Sequence, residues 1–139
     1  MKKIVVCVLM LAMLCAGCDD NNSIYMKEIV NMKSAVSDVN VVHSNGGGVN
    51  EISLSNEQIV KLKSWISKAE LTFVEFKDGE EPSNLAGGET YSFSSDSFDE
   101  FSFFDAGDQK YYIRINSNWY QVEENIDFFS DNRKLMQII

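Results

Sequence analysis

The chain has 139 residues, with 12 Lys and Arg against 21 Asp and Glu, so it carries a net charge of −9 at pH 7. That length fits a single domain with a short appendage. Three cysteines and one histidine exclude a multi-disulfide scaffold and zinc sites built from several Cys or His ligands. The acidity argues against nucleic acid as a partner, because phosphate binding needs clustered cations to displace counterions. One Pro and 12% aromatic residues point to an ordered domain rather than a disordered tail.

The N-terminus reads Met1-Lys2-Lys3, then a mostly apolar run from Ile4 to Gly17, then Cys18-Asp19-Asp20. Two cations followed by a short apolar run have the form of a secretory signal. The run falls short of the roughly 20 apolar residues a spanning helix needs. The segment Leu14-Cys15-Ala16-Gly17-Cys18 resembles the lipobox of bacterial lipoproteins, with Ala16 and Gly17 as the small residues and Cys18 at the acylated position. Cys15 departs from the pattern, standing where Leu is usual. The resemblance implies removal of residues 1–17 as a signal peptide and a lipid on Cys18, so that the protein meets the membrane through that residue. Cys7 and Cys15 would leave with the leader, and no disulfide would then be available. The alternative is an ordinary secretory signal cut nearby, leaving Cys18 a free thiol. Asp19 resembles the inner-membrane retention signal of enterobacterial lipoproteins. The domain would then face the periplasm, or the cell exterior in a Gram-positive host.

Residues 18–24 read as the lipidated cysteine and a polar tether, and 25–139 as one domain. The tether Asp19–Ser23 spans at most about 17 Å, which keeps the domain close to the bilayer. Tyr25–Ser34 alternates, with Met26, Val30 and Met32 opposite Lys27, Asn31 and Lys33; this suggests a first strand, with a short helix as the competitor. Val39–His43 and Val49–Leu54 flank Ser44-Asn45-Gly46-Gly47-Gly48 and read as a hairpin whose five-residue loop has glycines free to take positive φ. No P-loop lysine accompanies the three glycines, so phosphate cradling is set aside.

The clearest helix follows, at about 56–69. Ser55 and Gln58 form a capping box, Leu54 and Ile59 a hydrophobic staple. Ile59, Leu62, Trp65, Ile66 and Ala69 make one apolar stripe, and Lys61, Lys63 and Lys68 lie mostly off it. The period then changes to two. Leu71–Phe76, Glu89–Ser94, Phe98–Phe104, Lys110–Ile115 and Asn118–Val122 read as strands joined by short turns, an antiparallel meander. In the tail, Ile126, Phe129, Met136 and Ile139 recur at near-helical intervals and suggest a C-terminal helix. The expected fold is α+β: one antiparallel meander sheet packed by one amphipathic helix, with a second helix at the end.

Chemistry is sparse. His43 reads as a strand residue near a hairpin, and without a second histidine or a free cysteine neither a zinc-hydrolase set nor a Cys-His dyad forms. No nucleophile-elbow sequence surrounds any serine. The acids fall mostly in turns, where solvation leaves them untuned for catalysis. The chain is therefore read as non-catalytic and without a cofactor. Charge distribution says more: residues 75–108 hold ten acids against one base, Lys77. Glu80, Glu81, Asp96, Asp99, Glu100, Asp105 and Asp108 are the candidate surface for a basic protein partner. A solubilising face is the competing reading. Calcium is weighed as well, but Asp105-Ala106-Gly107-Asp108 lacks the spaced loop order, and no metal site is assigned. Phe101 and Phe103 are expected in the core. Phe98 and Phe104 are expected on the opposite face, as a protein-binding or sugar-stacking surface unless another element covers them.

The expected function is that of a membrane-anchored envelope lipoprotein that captures a basic protein, in the manner of small inhibitors and immunity proteins. The likeness is one of size, anchor and charge only. The alternatives are a structural or assembly lipoprotein of the envelope and a small-ligand or calcium-binding one.

Overall fold

The structure is a computed structural model that describes residues 22–124 and residue 126. The lipobox with Cys18 and Asp19 lies outside the described residues, as does the C-terminal helix expected over 125–139, apart from Ile126. Ile126 is buried in the core.

Eight strands form one antiparallel sheet in the order β1-β4-β8-β7-β6-β5-β2-β3. They are β1 (Ser23–Tyr25), β2 (Asn40–Asn45), β3 (Gly48–Ser53), β4 (Glu70–Val74), β5 (Glu89–Ser95), β6 (Phe98–Asp105), β7 (Tyr111–Ile115) and β8 (Asn118–Val122). Among the described residues two α-helices accompany them, α1 (Met26–Ile29) and α2 (Asn56–Lys68). The fold is thus a mixed one dominated by antiparallel sheet. Strands β5 to β8 follow one another as a meander, but β4, expected at its head beside β5, pairs instead with β8 at the other end. The sheet then extends both ways through non-local pairs, β2 on β5 and β4 on β8. Helix α2 leaves the β3 edge and delivers the chain to β4, next to the opposite edge, so it must travel across the sheet.

The local reasons for α2 are those visible in the sequence. The Ser55 N–H donates to Gln58 Oε1 at 2.8 Å and the Gln58 N–H to Ser55 Oγ at 3.3 Å, closing the capping box. Ile59, Leu62, Trp65 and Ile66 turn inward, and Ala69 follows them into the core. Opposite them lie Val41, Phe93, Phe101 and Ile115, which occupy one register row across four strands and are all buried.

Three expectations need correction. Tyr25–Ser34 is not a strand: Ser23 and Ile24, read as tether, pair with β4, and Met26–Ile29 is a helical turn. The Val30 N–H donates to the Met26 carbonyl oxygen at 3.1 Å, the i to i−4 bond of a helical turn, and both side chains are fully buried. The β2–β3 loop is only Gly46-Gly47, and none of the three glycines takes positive φ. Positive φ appears instead at Asn116 and Ser117, the pair required to turn β7 tightly into β8. Finally, Phe98 faces inward, 7% exposed and in ring contact with Phe101. The register slips between Phe93 and Ser95, and such a bulge reverses which side a following residue faces.

Candidate functional site

The outer face of the sheet, opposite α2, holds what the core does not need. Residues 75–88 run from β4 to β5 and fold back over it. Phe76 sits edge-on against Tyr112 and Trp119, at centroid distances of 5.3 and 5.6 Å. The Asn84 amide donates to Ser44 Oγ at 3.1 Å. At the far end, a Cβ on Gly88 would meet the Asp105 carbonyl oxygen at 2.7 Å, so only glycine allows that approach to β6. Beneath this strap is a cavity of about 340 Å³ lined by Ser44, Glu81, Pro82, Ser83, Asn84, Thr90, Phe104, Arg114 and Trp119. Phe104 is half-buried there, 4.7 Å from the Trp119 ring. It is covered by a loop, neither free nor core.

The seven candidate acids do not form one patch. Asp96, Asp99 and Glu100 gather at the β5–β6 turn. Asp105 and Asp108 lie at the β6–β7 turn, at the other end of an eight-residue strand, about 24 Å away. Glu80 and Glu81 belong with the second group, because the cavity that Glu81 lines includes Thr90 and Phe104, next to Glu89 and Asp105 in the strands. Three of the seven have internal work. Asp99 Oδ2 accepts from the Asn31 amide at 2.8 Å, Asp105 Oδ1 from the Gly107 N–H at 3.0 Å, and Glu81 Oε2 from the Gly79 N–H at 2.9 Å. The carboxylates of Glu80, Asp96, Glu100 and Asp108 hold no hydrogen bond among the described residues, while the Asp96 carbonyl accepts from Lys33 Nζ at 2.8 Å. None of the seven makes an ion pair there: the described pairs are His43–Glu89 and Lys61–Glu57. A second cavity, about 360 Å³, opens at the β5–β6 end between Asp38, Asp96, Glu100 and a group of serines. Among the described residues, no three His, Cys, Asp or Glu side chains converge as a metal site.

One constellation escaped the sequence reading. His43 is in a strand beside a hairpin, yet it is 6% exposed and stacks on Tyr91 at 4.5 Å. Its Nε2 lies 3.5 Å from Glu89 Oε2, the oxygen that accepts the Tyr91 hydroxyl at 2.6 Å. Neither ring nitrogen of His43 makes a hydrogen bond among the described residues. The three meet only because β2 pairs with β5, with His43 opposite Tyr91, and no local spacing encodes that pairing. The group is a buried polar knot, and none of the cavities above reaches the histidine.

Compared with known proteins, the chain matches no family model, no curated protein and no solved structure.

Proposed function

We propose that this chain is a non-catalytic envelope lipoprotein, a single α+β domain held to a membrane through Cys18, that captures a basic protein through its acidic outer loops. One observation supports the reading above all. Among the described residues the seven acids lie on surface loops and strand ends with no carboxylate ion-paired, the Lys33 ammonium at Asp96 being bonded to the backbone carbonyl at 2.8 Å, in a chain that carries −9. Unpaired carboxylates at strand ends raise the encounter rate with a positive partner and reject negative ones. Their division into two groups about 24 Å apart suits a partner that touches both ends of β6, a span ordinary for a protein interface.

The test follows from which acids are free of internal bonds. Lysine at Glu80 and Asp108 reverses one end, and lysine at Asp96 and Glu100 reverses the other. Asp99 and Asp105 stay, since they brace Asn31 and Gly107. Crosslinking capture from the native envelope, at low and high salt, should recover a basic protein with the wild-type chain at low salt. High salt should release it, because exposed charges are screened beyond about 10 Å at 0.1 M. The fourfold variant should lose capture while melting within about 3 °C of wild type. Equal capture by the variant would overturn the assignment.

A further inference from the structure

The cavity under the 75–88 strap has a chemistry that capture of a basic partner does not use. Its wall includes Arg114, whose guanidinium carbon is 5.8 Å from the Trp119 ring centre. In a chain with a large surplus of carboxylates, Arg114 makes no ion pair among the described residues. Thr90 lines the same cavity, is 8% exposed, and its hydroxyl has no hydrogen-bond partner among the described residues. A buried hydroxyl left unsatisfied is costly, and a staggered rotation about χ1 brings it to the position the methyl now holds. Phe104 and Trp119 supply aromatic walls, and Glu81 sets one carboxylate in the lining. The cavity's volume, about 340 Å³, lies in the range of small-molecule sites.

We propose that this cavity binds a free amino acid with an aromatic side chain. The α-carboxylate meets the Arg114 fork, which matches a carboxylate with two parallel N–H donors, and Thr90 gains its missing partner. The ammonium group faces Glu81, and the ring packs on Phe104 and Trp119. Charge selects the zwitterion. A simple anion would be repelled by Glu81 and the nearby Glu80, Asp105 and Asp108, and a simple cation would leave Arg114 unpaired.

Calorimetric titration of the full chain in detergent tests this with L-phenylalanine, 3-phenylpropionate, which lacks the ammonium, and phenethylamine, which lacks the carboxylate. L-Phenylalanine should bind with a Kd of about 1 mM or tighter, and each truncated probe at least about tenfold more weakly. Arg114→Gln, at an exposed position, should abolish binding. Thr90→Val keeps the shape and removes the orphan hydroxyl, so it should weaken binding while raising the melting temperature. A purely structural role for Thr90 would not give that opposed pair of effects. Should Arg114→Gln fail to fold, Thr90→Val decides. No binding of L-phenylalanine to wild type at about 10 mM, equal binding of 3-phenylpropionate, or unchanged affinity in the folded variants would each overturn the proposal. Arg114 and Thr90 take no part in capturing a basic protein, so the two assignments fail separately.

Discussion

The two faces of the sheet use the same strands for opposite ends. On the inner face the row Val41–Phe93–Phe101–Ile115 is apolar throughout and closed by α2. One residue along, the outer row runs Val42–Ser92–Ser102–Arg114–Trp119–Val74. There Ser92 and Ser102 hydrogen-bond to each other at 2.8 Å, and the aromatic and cationic groups gather at the β7–β8 end. Stability is therefore concentrated inside, while the outer face is free to vary its chemistry. A cover made of a loop rather than a helix leaves a cavity and an acidic rim.

Breaking the inner face should have the largest effect. Phe93 is fully buried and stacks on Phe101 at 4.7 Å. Phe93→Ala should cost about 3–5 kcal/mol and lower the melting temperature by roughly 15 °C or more in a calorimetric scan. On the outer face, Phe76→Ala removes two edge-on ring contacts worth about 0.5–1.5 kcal/mol each. It should free the strap while leaving the core intact, seen as faster amide exchange confined to 75–88. If exchange in β5 and β6 rose equally, the two faces would not be energetically separate. Ser55→Ala deletes half of the capping box and should cost about 1 kcal/mol, measured by urea unfolding. The smallest effect belongs to the sheet edge. Tyr25 faces Glu70 across β1 and β4, and that carboxylate, by its charge and then by accepting a hydrogen bond, raises the phenol above its ordinary value of 10.0. The neutral phenol is the form favoured by folding, so this contribution is present below pH 10 and fades as pH rises through the folded-state value. Tyrosinate absorbance should show a late-titrating component that Tyr25→Phe reduces by one group.

Much of the inner face could be read from residues alone. Ser55, Gln58 and the stripe from Ile59 to Ala69 define α2, and period-two patterning marks the meander, because these signals are local. Register slips and long-range pairings are not local. The bulge after Phe93 turns Phe98 inward, and the β2–β5 pairing creates the His43–Tyr91–Glu89 group from residues 48 positions apart at the extremes. The candidate site was legible only as composition. The run of acids in 75–108 was plain, but its division between two strand ends depends on β6 being eight residues long. The cavity depends on Gly88 and Asn84 pinning the strap, and neither residue stands out among the turn formers around it.

The proposed function places this domain at a membrane surface, held by residue 18. The most direct check is the intact mass of the protein purified from its native membrane. A chain that begins at Cys18 and carries a thioether-linked diacylglycerol is the expected result. A retained leader, or a mature chain with an unmodified thiol at Cys18, would contradict the account at its root.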